Sequence, residues 1–299
     1  MSDLRLATRR SPLALTQAEI VREKFAARGV ACEFVLVETS GDRHHDVSLA
    51  SLGGQGVFAI EIQRALVNGD ADVAVHSAKD LPSATPEELE LACVPDRRDP
   101  ADALVGRSLA GLGPGATVAT GSPRRRALLL ERRPDIRVVE LRGNMATRLG
   151  VAGRDGVDAV VAACAALERL GESDRVAERL EPSWFVPQVG QGALALEIRR
   201  DDRHTRELVR SINDADAMTA VTAERAFLAE LGTGCSIPAG AHATIVDGVI
   251  TLSAVMIAID GSRSVRSSRD GSDPVALGTE SALFLRDHEG GDSLPGWSG

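Results

Sequence analysis

The fold of this chain is decided by the stretch Ala71-Asp72-Val73-Ala74-Val75-His76-Ser77-Ala78-Lys79-Asp80-Leu81-Pro82. Small and β-branched residues open the stretch, which predicts a buried strand. Pro82 excludes a central strand directly after it. Lys79 and Asp80 are therefore predicted at the carboxyl end of a parallel strand, where open α/β sheets bind their ligands. The alternative is a solvated turn with a surface ion pair.

The composition narrows the class of protein. The chain has 299 residues, a net charge of −9 and 43% hydrophobic residues. Its length predicts two or three domains, and its apolar content is enough for a core. Only 3% of the residues are aromatic, and there is no Tyr. Together with the acidic balance, this argues against nucleic-acid binding.

The sequence predicts a cytoplasmic protein. No apolar run reaches the roughly 18 residues of a membrane helix, and Arg5, Arg9 and Arg10 interrupt any signal core at the N-terminus. The cysteines form no CxxC pair, so we expect reduced thiols and no zinc site. The His44-His45-Asp46 cluster is in a polar loop, which favours solvated histidines over a metal site.

Two segments of the chain repeat one plan. A predicted strand at residues 4–10 leads into Ser11-Pro12 and a helix over residues 13–28, and a strand beginning at Ala116 leads into Ser122-Pro123 and a second helix. Ser as the N-cap with Pro at the first helical position is a strong helix start. Two lobes built this way would place two helix N-termini, which favour anions, across a cleft.

The two repeats differ where their buried strands end. Residues 155–164 repeat residues 70–77, but Ala163, Cys164 and Ala165 stand where the first repeat has Lys79 and Asp80. We therefore expect the first lobe to carry the chemistry and the second mainly to bind anions.

Two segments are predicted to connect these lobes. Residues 96–102 are charged and contain a Pro, and residues 186–192 are rich in hinge residues. The predicted domains are residues 1–98 with 193–214, residues 99–192, and residues 215–299, with a hinged cleft between the first two. Residues 287–299 are Gly-, Ser- and Asp-rich, which predicts disorder.

Arginine placement predicts an anionic ligand. Arg124 and Arg125 fall in the first turn of the second predicted helix, where a cation opposes the helix dipole unless an anion compensates. Arg142 and Arg148 follow the next strand. Guanidinium groups bind carboxylates in bidentate fashion. The alternative is an arginine-rich surface without a ligand.

One cysteine differs from the other three. Cys32, Cys93 and Cys164 lie in apolar, strand-like runs, whereas Cys235 lies in a glycine loop after a helix predicted over residues 216–231. This setting makes Cys235 the most accessible candidate nucleophile. The alternative is an unreactive loop thiol.

Seven motifs of this chain, taken together and in their order, resemble those of the porphobilinogen deaminase (hydroxymethylbilane synthase) family. The resemblance spans nearly the whole chain. The segments that carry it are Ala7-Thr8-Arg9-Arg10-Ser11-Pro12-Leu13-Ala14, Ala74-Val75-His76-Ser77-Ala78-Lys79-Asp80-Leu81-Pro82, Gly121-Ser122-Pro123-Arg124-Arg125, Leu141-Arg142-Gly143-Asn144, Val189-Gly190-Gln191-Gly192-Ala193, Val221-Thr222-Ala223-Glu224-Arg225-Ala226 and Gly234-Cys235-Ser236-Ile237-Pro238.

The resemblance implies an α/β fold of two periplasmic-binding-protein-like (type II) lobes with a hinged cleft, plus a small α+β third domain. It implies a monomeric transferase that joins four porphobilinogens head to tail on a dipyrromethane cofactor, attached by a thioether to Cys235. The catalytic aspartate falls on Asp80, and no metal is implied. The expected carboxylate-binding residues are Arg9, Ser11, Ser77, Lys79, Thr120, Ser122, Arg124, Arg125, Arg142, Arg148 and Gln191.

Three departures from the family pattern leave other functions open. Ser51 and Gln55 stand where some members have lysines in a glycine-rich loop, Ala166-Leu167 replaces a Gly-Leu, and no long helix is expected near the C-terminus. A solute-binding module on the same plan would need neither Asp80 nor Cys235. A repurposed relative is the third alternative.

Overall fold

The computed structural model describes residues 3–39, 59–232 and 238–297. Its first lobe is a five-stranded sheet in the order β2-β1-β3-β10-β4. β1 is parallel to β2 and β3, whereas β10 is antiparallel to β3 and β4. The strands are β1 (Leu4–Arg9), β2 (Cys32–Val37), β3 (Val73–Ser77), β4 (Leu89–Cys93) and β10 (Leu194–Arg199).

Helices cover both faces of this sheet. Phe25 and Val21 of α1 pack with Val75 on one face, and Ile62 and Leu66 of α2 pack on the other. The burial of these side chains is the main stabilising contribution in the lobe. The helices are α1 (Pro12–Ala26), α2 (Ile60–Val67) and α6 (Arg203–Arg210).

The second lobe repeats this architecture. Its sheet has the order β7-β6-β8-β5-β9, again with an antiparallel strand, β5, in the fourth position. The strands are β5 (Asp102–Val105), β6 (Thr117–Ala119), β7 (Arg137–Val139), β8 (Ala159–Ala163) and β9 (Val176–Leu180), and the helices are α3 (Pro123–Arg132), α4 (Met145–Gly150) and α5 (Cys164–Arg169).

The chain crosses between the lobes twice, once between β4 and β5 and once between β9 and β10. The two crossings touch through an antiparallel bridge between Arg97 and Ala193. Gly192 has φ +86°, and a Cβ there would lie 2.4 Å from the carbonyl oxygen of Arg98. Only glycine fits this position without strain, so the crossings can lie directly side by side.

A third domain packs on the other two. Its three-stranded antiparallel sheet has the order β11-β12-β13. One face of β12 packs on α7 and α8 through Leu252 and Met256, and the other face places Val255 and Ile257 in the core of the second lobe. The elements are α7 (Ala215–Glu230), β11 (Ala239–Val246), β12 (Val249–Ile257), β13 (Ser264–Gly271) and α8 (Pro274–Leu283). The structure thus has the two-lobed α/β architecture with a small α+β domain that the resemblance implies.

The C-terminal segment differs from expectation. Disorder was predicted from Asp287 onward and no long helix was expected before it, but α8 is followed by a wider turn over Phe284–His288 and the chain stays packed through Trp297. Leu294 is fully buried, and the Trp297 indole N–H donates to the carbonyl of Ile257 at 2.8 Å. The prediction was wrong because a few apolar anchors are enough to order a polar segment.

Candidate active site between the lobes

The buried strand predicted at the start of the Ala71–Pro82 stretch ends before Lys79, as the sequence predicts. β3 stops at Ser77, and Ala78–Asp80 form one 3-10 turn before Leu81. The Ala78 N–H donates to the carbonyl of Ala193 at 3.0 Å, which ties this turn to the second crossing. Lys79 and Asp80 are therefore fixed at the carboxyl end of β3, next to the junction of the lobes.

Asp80 lines a small pocket at the N-terminus of α1. Ser11 caps this helix, since its Oγ accepts from the N–H of Ala14 at 3.3 Å. Ser77 is hydrogen-bonded to the Gln17 amide at 2.8 Å. The pocket brings together four of the predicted site residues, Arg9, Ser11, Ser77 and Asp80. The lining residues are Arg9, Ser11, Leu13, Ala14, Gln17, Ile62, Val75, His76, Ser77 and Asp80.

Lys79 points toward the second lobe. Its Nζ donates to Gln191 Oε1 at 3.3 Å. Burial and the nearby Arg125 lower the pKa of Lys79 to about 8, against the opposing effect of Asp80 and Asp102. Lys79 is therefore a cation at neutral pH that loses its charge at mildly alkaline pH.

The N-terminus of α3 carries the arginine pair. Ser122 Oγ accepts from the N–H of Arg125 at 3.4 Å, and Thr120 Oγ1 accepts from the N–H of Ser122 at 3.2 Å. Arg124 and Arg125 are only 2% and 7% exposed. The Nη2 atom of each lies 2.6 Å from a carboxylate oxygen of the fully buried Asp102. The anion that offsets these first-turn cations is thus a protein carboxylate.

Asp102 is held ionised by this pair. Burial alone would raise its pKa, but Arg125 and Arg124 outweigh burial and hold the pKa well below its usual range. Each guanidinium also donates to a backbone carbonyl, Arg124 to Val186 at 2.6 Å and Arg125 to Val161 at 3.2 Å. These bonds fix both side chains against the second lobe.

Positive charge is in surplus where the lobes meet. Lys79, Arg124, Arg125 and Arg148 act on one another here, and among the described residues Asp80 and Asp102 oppose them. Burial and Arg125 lower the pKa of Arg148. Arg148 donates to the carbonyl of Gly143 at 2.8 Å. Four cations around two carboxylates favour an anionic ligand.

Gln191 occupies a different position from the one expected. Its Oε1 accepts from Lys79 and from Arg125, each at 3.3 Å. Its Nε2 donates to Asp102 at 2.9 Å and to the carbonyl of Pro100 at 2.7 Å. Gln191 was expected to bind ligand carboxylates, but its amide is hydrogen-bonded to protein groups and connects Lys79 of the first lobe to the arginine pair of the second.

The remaining predicted residues are less tightly grouped. Arg142 is exposed and forms an ion pair with Glu140 at 2.9 Å. Cys235 lies outside the described residues, so its predicted role stays a prediction. The same holds for the predictions that concern His44, His45, Asp46, Ser51 and Gln55.

The three described cysteines are poor nucleophiles. Burial raises the pKa of Cys32 to about 11 and that of Cys93 and Cys164 to about 12. Their thiolate populations at neutral pH are therefore very small. Within residues 3–39, 59–232 and 238–297, no cluster of His, Cys, Asp or Glu fits a metal ion, and no helix is both long and apolar enough to cross a membrane.

Asp102 and Gln17 were not predicted as residues of this site, and neither was the contact between His76 and Glu197. Asp102 was assigned to a charged crossing, although the apolar run that follows it, Ala103-Leu104-Val105, indicates a buried strand start. Gln17 is buried on the face of α1 that meets β3. His76 and Glu197 have no local signal, because their contact joins two distant strands.

Family sequence models match most of the chain. The model described as "Porphobilinogen deaminase, dipyromethane cofactor binding domain" matches residues 4–207, and "Porphobilinogen deaminase, C-terminal domain" matches residues 218–287. A porphobilinogen deaminase from Syntrophotalea carbinolica is 45% identical, with 89% of this chain and 86% of the relative covered. Another from Syntrophobacter fumaroxidans is 42% identical, with 95% and 94% covered.

Two solved structures are partly similar to the chain. A periplasmic substrate-binding protein of an ABC transporter from Coxiella burnetii is 14% identical, with a TM-score of 0.44 over 74% of this chain and 96% of that one. The methionine-binding protein MetQ is 13% identical, with a TM-score of 0.43 over 72% and 91%.

Proposed function

The chain belongs to the porphobilinogen deaminase family, and we propose on that premise that it is a hydroxymethylbilane synthase. It deaminates four porphobilinogen molecules, joins them head to tail on a dipyrromethane cofactor, and releases linear hydroxymethylbilane by hydrolysis. The substrate is the small molecule porphobilinogen, and we place the enzyme in the cytoplasm as a monomer.

The observation that best supports this proposal is the concentration of positive charge where the two lobes meet. Every pyrrole unit brings an acetate and a propionate, so the growing chain accumulates carboxylates. Lys79, Arg125 and Arg148 lie around Asp80, and within the described part of the chain Asp80 and Asp102 are the carboxylates that act on these cations. A ligand rich in carboxylates supplies the missing charge.

The residues present fit a dipyrromethane. The Nε atoms of Arg124 and Arg125 are buried and have no hydrogen-bond partner in the part of the chain that the structure describes. Arg125, Arg148 and Lys79 would hold the carboxylates of the group. When bound, the dipyrromethane supplies the pyrrole carbon to which new units are joined.

Asp80 would carry the chemistry. Loss of ammonia from porphobilinogen leaves a cationic azafulvene, and a carboxylate beside the pyrrole nitrogens stabilises that charge. Asp80 stands at the end of β3 in the pocket lined by Arg9 and Ser11. The turn that holds it is anchored to the second crossing, so the carboxylate is positioned before the substrate binds.

Two capping serines would add neutral donors. Ser11 and Ser122 each use the hydroxyl oxygen to accept a backbone N–H at the start of a helix. The hydroxyl hydrogen remains to donate to a substrate carboxylate. Both helix N-termini also favour a negative charge beside them.

Cys235 is the proposed attachment point of the cofactor. The three described cysteines are disfavoured, because burial raises the pKa of each thiol to about 11 or 12. The intact mass of the purified protein should exceed the sequence mass by two linked pyrrole units, and a peptide map should place the excess on Cys235. Cys235→Ser should lack it.

Turnover tests the function directly. Incubation with porphobilinogen should release four ammonia molecules for each linear tetrapyrrole, and Asp80→Ala should keep the covalent cofactor but lose turnover. A solute-binding module would bind porphobilinogen without releasing ammonia. That result would contradict the proposal.

A further inference from the structure

The proposed function leaves one buried carboxylate of the first lobe unused. Glu197 on β10 is fully buried. Its Oε2 lies 3.2 Å from Nε2 of His76 and accepts from the Gln63 amide at 2.9 Å. Its Oε1 has no hydrogen-bond partner among the described residues. A buried carboxylate is costly unless it is paired.

The sheet register brings the acid and the imidazole together. β10 runs antiparallel to β3, with Ala195 opposite His76 and Glu197 opposite Ala74. Side chains two residues apart on a strand project to the same face, so both groups face α2, which supplies Gln63. From the third domain, Arg225 on α7 acts on the carboxylate as a further cation.

The carboxylate is ionised. Burial alone would raise the pKa of Glu197, but His76, Gln63 and Arg225 outweigh burial and lower it. Only one of these groups, His76, also lines the pocket that contains Asp80. The other ionisable residues in that lining are Arg9 and Asp80.

This contact selects one form of the His76 ring. Nε2 lies 3.2 Å from the carboxylate oxygen, within ion-pair distance, although the two groups are not aligned for a hydrogen bond. The negative charge beside Nε2 favours the neutral imidazole with its hydrogen on that atom, which leaves Nδ1 as the basic atom. A carboxylate behind an imidazole fixes the ring and its tautomer, and it stabilises the imidazolium that forms when the ring accepts a proton.

The proposed reaction needs a proton acceptor at every addition. The aminomethyl group of the substrate leaves from its protonated form: the bond between the methylene carbon and the ammonium nitrogen breaks, ammonia takes the electron pair, and the cationic azafulvene remains. A carbon–carbon bond then forms between that methylene and the free α-carbon of the terminal pyrrole. The hydrogen on this α-carbon must leave as a proton to restore the aromatic ring. Asp80 is meanwhile assigned to the charge at the pyrrole nitrogens, a different position on the substrate.

We propose that His76 is the base that accepts the α-carbon proton, and that Glu197 is a positioning residue that holds its imidazole. This inference rests on the proposed function. The His76 imidazole would accept the α-carbon proton, and the Asp80 carboxylate would stabilise the azafulvene cation. Both groups line the same pocket.

Two conservative substitutions test this inference. His76→Asn keeps a donor toward Glu197 but cannot accept a proton, and Glu197→Gln keeps the shape but removes the charge. The matched control is Glu90→Gln, on the same sheet, where Glu90 forms an ion pair with Arg206 at the edge of the lobe. Each variant is checked by intact mass for the covalent cofactor before kinetics.

We expect the two pocket variants to change kcat but not KM. Both pocket variants should lower kcat about 100-fold, the usual range for loss of a general base, with KM within about threefold. Porphobilinogen deuterated at its free α-carbon should show a larger kinetic isotope effect on kcat in both variants than in the wild type, because proton removal becomes rate-limiting. Glu90→Gln should match the wild type.

A second readout does not depend on turnover. Nitrogen-15 NMR of the histidine rings should show His76 as the Nε2–H tautomer in the wild type and a mixture of tautomers in Glu197→Gln. If wild-type protein turns over and His76→Asn has wild-type kcat, or slow variants show no larger isotope effect, the inference is wrong while the function stands. If the wild type releases no ammonia, both fail. If Glu197→Gln does not fold, His76→Asn and the wild-type tautomer decide.

Discussion

The two lobes have the same strand order, and in each the antiparallel fourth strand carries a fully buried carboxylate. In the second lobe, Asp102 is the first residue of β5 and lies opposite Ala163, the last residue of β8. In the first lobe, Glu197 lies opposite Ala74, three residues before β3 ends at Ser77. One carboxylate is therefore at the edge of the cleft, and the other is deeper in the sheet.

The two carboxylates have different kinds of partner, and the difference matches the roles that we propose for the two lobes. Asp102 receives two permanently charged guanidinium groups, which it fixes at the N-terminus of α3. Glu197 is paired with the His76 imidazole and with the neutral Gln63 amide, and an imidazole, unlike a guanidinium, is suited to proton transfer. The comparison indicates how one architecture supports two tasks. The second lobe holds fixed charge, and the first lobe holds groups suited to proton transfer.

Removal of Asp102 should have the largest effect on stability. Asp102→Ala leaves two buried guanidinium groups without their anion, and breaking such a buried pair costs about 3–5 kcal/mol. Denaturant unfolding should show this loss. The control is Asp135→Ala, which removes an exposed partner of Arg133 and should change the free energy of unfolding far less, because water screens an exposed ion pair. Equal losses in the two variants would mean that the second lobe does not depend on its internal anion.

The pH dependence of substrate binding should follow Lys79. Its pKa in the folded protein is about 8, below the ordinary 10.5. As the pH rises through 8, Lys79 loses its charge and KM for porphobilinogen should rise. Lys79→Met should have a raised KM at neutral pH that changes little between pH 7 and 9. A wild-type KM that stays constant over this range would contradict the assignment of Lys79 to carboxylate binding.

The same shift has a consequence for stability. Between pH 8 and 10.5 the unfolded chain keeps the Lys79 proton that the folded protein has lost. Because the unfolded state then binds more protons, this group makes the free energy of unfolding rise with pH in that window. Lys79→Met should remove this contribution, which is measured as the difference between the pH profiles of wild type and variant.

Removal of either helix cap should have the smallest effect on stability. Ser11→Ala and Ser122→Ala should each lower the free energy of unfolding by about 1 kcal/mol, because each removes an N-cap acceptor. Ser122→Asp should restore the cap but place a negative charge beside the cleft, so stability should recover while KM rises. If Ser122→Asp has both the stability and the KM of the wild type, Ser122 acts only as a helix cap.

The sequence predicted the elements whose signals are local. Ser11-Pro12 and Ser122-Pro123 mark the starts of α1 and α3, and the break after Ser77 marks the end of β3. These features depend on neighbouring residues, so a single sequence carries them. The repeated plan of the two lobes followed from the same local signals.

Pairings between distant residues could not be predicted in the same way. Asp102 stands next to a charged, Pro-containing segment, and its arginine partners come more than 20 residues later. His76 and Glu197 meet only because β10 returns to pair with β3. β13 was missed because it is largely polar, with Val265 its one fully buried side chain.

The division of labour between the lobes is tested most directly by kinetics of one variant from each lobe. Asp80→Asn removes the charge proposed to stabilise the cation, and Arg148→Gln removes a second-lobe cation that is not bound to Asp102. We predict that Asp80→Asn lowers kcat by about 100-fold to 1,000-fold with little change in KM, and that Arg148→Gln raises KM by about tenfold with kcat nearly unchanged. Wild-type kcat in Asp80→Asn, or the same constant altered in both variants, would contradict the account.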